Sequence, residues 1–108
     1  MTSSLEPYAR LLNVLIHFDL GNDKLLKHMI PATVKYLKSK NKFYELEKAV
    51  LKSLKEILPI KDQEIKLNLL SELKNRIHII VKDKFEANAL VYFNYISWID
   101  SKLKFKNN

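Results

Sequence analysis

Lysine is the residue type whose spacing most clearly suggests chemistry in this sequence. Six lysines and no acidic residue lie between residues 24 and 42. On a helical wheel, five of them fall within an arc of about 80°, opposite the apolar positions: Lys24, Lys27, Lys35, Lys38 and Lys42. A row of ammonium groups can bind the phosphates of a nucleic acid or an acidic protein surface. A helix face that only contacts solvent has the same pattern.

The C-terminal end adds a second basic segment, with Lys102, Lys104 and Lys106. The whole chain has 19 basic and 12 acidic residues and a net charge of +7, which favours an anionic partner. Only Arg10 and Arg76 are arginines, the residue type that makes forked contacts with phosphates and bases. One hypothesis is therefore a protein that binds nucleic acid through phosphates, without sequence preference.

Aromatic residues are concentrated in the last quarter of the chain. Six of the eleven lie between residues 85 and 105, and on a helical wheel they spread around the whole circumference. Either this helix is enclosed by its neighbours, or one side of it is a contact surface for a protein or peptide partner or for a second copy of the chain. The residues predicted for that surface are Tyr92, Tyr95, Trp98 and Phe105.

The other residue types do not form a catalytic or metal-binding pattern. His17, His28 and His78 lie on three different predicted helices, without the spacing that places two ligands on one helix. There is no cysteine, the acids are scattered beside lysines, and a single glycine leaves no phosphate-binding loop. We therefore predict no catalytic residue, no metal and no cofactor, and we do not expect an enzyme.

Composition predicts an all-α fold that can position these residues. Apolar residues make up 47% of the chain and charged residues 29%, with one glycine and three prolines, which favours helices over the many tight turns of a β fold. A chain of 108 residues corresponds to one domain, residues 1–108. The apolar periodicity predicts about five antiparallel helices, over residues 5–20, 24–40, 42–58, 63–82 and 84–105.

Capping residues mark several of the predicted helix ends. The expected helix starts follow Ser4, Asp23, Asp62 and Asp83, and Gly21 is expected to end the first helix. Glu86, three residues after Asp83, completes a pattern that resembles a capping box. Pro31 lies in the middle of the second helix, so we expect a kink or a short break there.

Residues 15–26 resemble the turn of a tetratricopeptide unit, where one helix closes on a Leu-Gly pair and the next begins at once. With residues 10–13, 18–22, 43–47 and 92–99, which read RLLN, FDLGN, FYELE and YFNYISWI, the chain looks like the C-terminal segment of uncharacterised bacterial proteins with tetratricopeptide-like repeats. The resemblance implies the end of a longer α-solenoid, whose preceding helix would cover part of helix 1, and it implies no active site. A small helical bundle is the alternative architecture.

Targeting signals are not apparent in the sequence. The longest uncharged run, residues 87–99, has 13 residues, too few to span a bilayer. No secretory signal is visible in the first residues, and the lack of cysteine fits the expectation of a cytoplasmic protein. The resulting functional prediction is a non-catalytic helical-repeat module for protein–protein interaction or scaffolding, with nucleic-acid binding as the alternative.

Overall fold

The computed structural model describes the backbone of residues 5–106 and the side chains of residues 5–104. Within that range the chain is helical and contains no strand, so the all-α prediction is confirmed. The helices are α1 (Glu6–Asp19), α2 (Asp23–Ser39), α3 (Glu45–Ile57), α4 (Gln63–Ile80), α5 (Lys84–Ala87), α6 (Ala89–Tyr92) and α7 (Tyr95–Lys106). The predicted number of five helices is wrong because the fifth predicted helix is divided into shorter ones.

The predicted helix over residues 84–105 is interrupted at two places. A turn at Asn88 separates α5 from α6, and Phe93 has an extended backbone with φ −157° and ψ 130°. Asn94 precedes the next helix as its cap, and its side-chain oxygen accepts a hydrogen bond from the Ser97 backbone N–H at 3.0 Å. These changes of direction allow Tyr95 to enter the core. One straight helix with aromatic residues on every side could not bury all of its aromatic rings.

Two helices end with a residue in the left-handed backbone region. Gly21 has φ 73°, and the Asn22 N–H donates to the His17 carbonyl at 3.0 Å, so Gly21 ends α1 as predicted. Asn41 has φ 57° at the end of α2, where the Lys42 N–H donates to the Leu37 carbonyl at 2.9 Å. Asparagine tolerates this conformation better than most residues, which explains why α2 ends here.

The helix starts were predicted with mixed success. Asp62 and Asp83 each accept two backbone N–H groups at the starts of α4 and α5, as expected. Asn22, and not Asp23, precedes the first residue of α2, and α3 begins at Glu45, three residues later than predicted. The predicted cap Ser4 lies outside the described residues. α2 continues through Pro31, so no break forms there.

Successive helices pack against one another around one apolar core. α1 packs on α2, α2 on α3, α3 on α4 and α4 on α7. The overall dimensions are 42 × 32 × 18 Å, and the smallest of them corresponds to two layers of helices, each about 10 Å across. Within residues 5–106, no helix has the length and apolar character needed to cross a bilayer.

The first and last helices of the described chain are joined by polar contacts at one carboxylate, that of Asp19. The Trp98 indole N–H donates to the Asp19 carboxylate, 3.0 Å from Oδ2, and the Trp98 ring lies 5.8 Å from the Phe18 ring. Lys102 forms an ion pair with the same carboxylate. Asp19 therefore connects the C-terminal end of α1 to α7.

Candidate functional site

The lysines of α2 form an exposed face, which we call the α2 basic face: Lys24, Lys27, Lys35 and Lys38. Within the described residues, none of these four ammonium groups forms an ion pair with a carboxylate. Lys42 is exposed but follows the left-handed Asn41, outside α2. The helical wheel therefore does not apply to Lys42, and the predicted stripe is one residue shorter.

The basic C-terminal segment is less uniform than its sequence. Lys102 is engaged by Asp19 and lies 4.7 Å from the Trp98 ring centre, whereas Lys104 is exposed. The side chain of Lys106 lies outside the described residues. Only Lys104 of this segment is seen to be available to an anion.

The predicted aromatic contact residues do not share one surface. Tyr95 is only 2% exposed and belongs to the core, so it cannot anchor a partner on the exterior. Trp98 is half-buried and its N–H is already bonded to Asp19. Tyr92 is exposed, and the side chain of Phe105 lies outside the described residues. Of the four predicted residues, Tyr92 alone is seen to be more than half exposed.

A second apolar surface, whose residues were not named as a candidate site from sequence, lies along α1. Leu5, Ala9 and Ile16 are exposed and Leu12 is half-buried, and together they recur at spacings of four, three and four residues. We call these four residues the α1 outer face. The sequence signal is the wide apolar arc of helix 1, part of which the resemblance to tetratricopeptide-like repeats predicts to be covered by a preceding helix.

A hollow lies where α1, the start of α3 and the segment α5–α6 meet, and we call it the aromatic hollow. Its volume is about 360 Å³. The Tyr8 and Tyr92 rings stack 4.1 Å apart, and the Tyr44 and Phe85 rings meet edge to face at 4.7 Å. The other lining residues are Lys42, Glu47, Glu86, Asn88, Ala89 and Val91.

Glu86 connects the two walls of the aromatic hollow. Its carboxylate accepts the backbone N–H groups of Glu45 and Leu46, each at 3.2 Å. An anion is stabilised at a helix start because the first N–H groups have no partner within the helix. Glu86 was predicted to support the start of its own helix, and it instead caps α3, some 40 residues away.

Glu47 is the buried acid of the aromatic hollow. It is 8% exposed, and its Oε1 accepts the Tyr44 backbone N–H at 3.1 Å. Burial raises the pKa of Glu47, and the neighbouring Glu86 carboxylate raises it further. Burial also raises the pKa values of Tyr8 and Tyr95. The spacing of Glu47 from the buried Val50 and Leu51 could have revealed its position from sequence.

The histidines stay apart in the structure. The His17 Nδ1 lies 2.9 Å from the Asn22 side-chain nitrogen, while His28 and His78 are exposed on α2 and α4. Within the described part of the chain, no three histidine or carboxylate side chains are grouped to hold a metal ion. Comparison with known protein families, with curated proteins and with solved structures finds no match, so the resemblance to tetratricopeptide-like repeats stays a prediction.

Proposed function

We propose that this chain is a non-catalytic helical interaction module that binds another helix through the α1 outer face. The observation that supports this most is the exposure of Leu5 (55%) and Ile16 (47%) on one line of α1. Apolar residues at spacings of four and three are what a helix presents to a partner helix. Covering them would remove apolar area from water, at about 25 cal/mol per Å².

Tyr92 extends this surface onto α6. Its ring stacks on Tyr8, which lies three residues after Leu5 and four residues before Leu12, so all three share one side of α1. Val91, next to Tyr92, is 83% exposed. A partner helix lying along α1 would therefore also reach the one predicted aromatic contact residue that is seen to be exposed.

The proposed architecture is a short tetratricopeptide-like array. The sequential packing of α1 on α2 and of α3 on α4 supports it, as does the Leu20-Gly21 turn between α1 and α2. The contact of Asp19 with Trp98 adds a connection between the first and last helices that is typical of a bundle. We therefore propose an array that is closed along one edge.

A second copy of this chain is the partner that we propose first. The charged residues at the start of α1, Glu6 and Arg10, form an ion pair with each other at 3.0 Å, and Asp19 at its end is paired with Lys102. The α1 surface is therefore nearly neutral, while the lysines of the α2 basic face form no ion pair within the described residues. Two chains of net charge +7 repel each other least when they meet through α1.

Sedimentation equilibrium from about 1 µM to about 1 mM tests this partner, since that range covers weak to moderate dimers. We expect a reversible dimer that the Ile16→Glu substitution dissociates, because a carboxylate would be placed in the apolar contact. Ile79→Glu is the matched control, since Ile79 is 66% exposed on α4, and it should leave the dimer intact. Equal effects of the two substitutions would contradict the α1 surface.

If the protein is strictly monomeric, a second copy is excluded as the partner, and a helix of a different protein remains as the proposed partner. A photo-crosslinking amino acid at position 16, compared with the same amino acid at position 79, tests that partner in a cell extract. The proposal expects a covalent adduct from position 16 and none from position 79. Absence of a specific adduct at position 16 in a monomeric protein would overturn the interaction module.

Nucleic-acid binding is the second candidate function, and the α2 basic face supports it. Fluorescence anisotropy with single-stranded and duplex oligonucleotides should show affinity that falls steeply with salt. Replacing Lys24, Lys27, Lys35 and Lys38 by Gln should lower the slope of log K against log salt by roughly three to four. The matched control removes four other exposed lysines: Lys52, Lys55, Lys61 and Lys82. An equal decrease of this slope in both variants would show that binding depends on net charge alone.

A further inference from the structure

We propose that the aromatic hollow binds a primary alkylammonium group, the cationic end of a small amine, with the Glu47 carboxylate as its counter-charge. This site shares Tyr8 and Tyr92 with the surface proposed for helix binding, but its binding group is Glu47 and it does not depend on that function. Three observations support it: a buried carboxylate without a cationic partner, a recess of suitable size beside that carboxylate, and aromatic rings around the entrance.

Glu47 provides the negative charge. More than nine-tenths of this residue is buried, and its Oε1 accepts the Tyr44 N–H at 3.1 Å. Within the described residues, no lysine or arginine forms an ion pair with Glu47. A buried carboxylate without a counter-ion is unfavourable, so a cation that reached it would gain a charge-assisted contact.

The recess beside Glu47 selects the size of the cation. It has a volume of about 20 Å³ and shares Tyr8, Lys42, Tyr44 and Glu47 with the aromatic hollow. About 10–15 Å³ suffices for one water molecule, and an –NH₃⁺ group is of similar size. A trimethylammonium group is several times larger and does not fit. The recess therefore favours a primary amine over a quaternary one.

The aromatic rings provide the remainder of the site. Tyr8 and Tyr44 line both the recess and the hollow, and cations are attracted to the faces of such rings. Phe85 and Tyr92, both more than half exposed, form the outer walls, where an alkyl chain would displace water from their rings. The site thus combines a charged end with an apolar passage.

The neighbouring charged residues fit this assignment. The Glu86 carboxylate is already occupied by the N–H groups of Glu45 and Leu46, which leaves Glu47 as the acid that faces a ligand. Lys42 lines the recess but is exposed and unpaired with Glu47. It is the cation of this chain that would compete with an incoming amine, so its removal should strengthen binding.

Titration of the ¹⁵N-labelled protein with n-butylammonium chloride, followed by NMR, tests the site. We expect saturable shifts of the backbone amides near Tyr44 and Glu47, with a Kd on the order of 1 mM for so small a ligand. Glu47→Gln keeps the shape and an oxygen acceptor for Tyr44 but removes the charge. It should weaken binding roughly tenfold to a hundredfold, the range for a hydrogen bond to a charged group.

Glu56→Gln is the matched control, since Glu56 is an exposed acid on the same helix, and it should leave the affinity unchanged. Lys42→Gln should raise the affinity. Tetramethylammonium should cause no saturable shift. Unchanged binding to Glu47→Gln, with unchanged shifts elsewhere showing an intact fold, would overturn the proposal. Binding of butyrate that Lys42→Gln abolishes would also overturn it, because the hollow would then be an anion site.

Two sources of the ammonium group are distinguished in the same titration. Putrescine represents a free diamine, and lysine acetylated at its α-nitrogen and capped as an amide represents a protein side chain. Tighter binding of putrescine would assign the site to free amines, and tighter binding of the capped lysine would assign it to a protein lysine. Absence of binding by butylammonium, putrescine and capped lysine alike would overturn the proposal.

Discussion

Residues 63–80 and residues 84–106 begin in the same way and continue differently. Each segment follows an aspartate, Asp62 or Asp83, whose side chain accepts two backbone N–H groups. The first segment forms one helix of 18 residues, whereas the second is divided into α5, α6 and α7. An N-cap therefore determines where a helix starts and does not determine how far it continues.

The difference lies in how the apolar residues are distributed. The buried residues of α4 recur at helical spacing and face one side: Leu67, Leu70, Leu73 and Ile77. In residues 84–106 they occupy all sides, so a straight helix would expose many of them. The extended backbone at Phe93 turns the chain so that Tyr95 and Ile99 enter the core, while Val91 and Tyr92 remain outside.

The largest effect that tests this comparison is expected at Tyr95. Tyr95→Ala should lower the free energy of unfolding by about 3–5 kcal/mol, because it removes a buried aromatic side chain. Tyr92→Ala should cost about 0.5–1.5 kcal/mol, the value of its stacking on Tyr8. Urea denaturation measures both. Equal losses of unfolding free energy in the two variants would show that the break at Phe93 does not decide which ring is buried.

A smaller effect is expected at Glu86, which links the divided segment to α3. Glu86→Ala should cost about 1–2 kcal/mol, because two N–H groups at the start of α3 lose their acceptor. Glu56→Ala, on the exposed side of α3, should stay within about 0.5 kcal/mol of the wild type. A neutral Glu86→Ala would mean that α3 does not depend on this cap.

Asn94 tests the restart of the helix after Phe93. Asn94→Ala should cost about 1 kcal/mol, because the Ser97 N–H loses its side-chain acceptor. Asn88, at the first interruption, makes no capping hydrogen bond through its side chain, so Asn88→Ala should have a smaller effect in the same denaturation experiment. The reverse order would contradict the role of Asn94 as the cap of α7.

The smallest expected effect is the pH dependence caused by Glu47, which lies beside the divided segment. Its pKa in the folded state is raised above the ordinary value of 4.5 by burial. The folded state therefore keeps a proton that the unfolded chain has lost, and stability falls as pH rises from 4.5 through the raised pKa. Denaturation at a series of pH values should show that Glu47→Gln lacks this fall. The same fall in the variant would assign it to another group.

The features predicted correctly from sequence depend on residues close together in the chain. Gly21 ends α1 through backbone bonds within five residues, and Asp62 caps α4 within three residues. The lysines of α2 are exposed as expected, because charged side chains on a polar helix face have no favourable alternative. The all-α class follows from the same local preferences.

The candidate sites depend on contacts that are distant in sequence. Only the packed structure shows that Tyr95 is buried and Tyr92 exposed. It also shows that Glu86 caps α3 and that the Tyr8 ring stacks on the Tyr92 ring. By itself the sequence determined the first four helices, several of their ends and the charge on α2, since these follow from local hydrogen bonding and periodicity. The tertiary structure alone decided which apolar residues stay exposed and where, within the described residues, a buried acid lacks a cationic partner, because burial depends on competition among all the helices for one core.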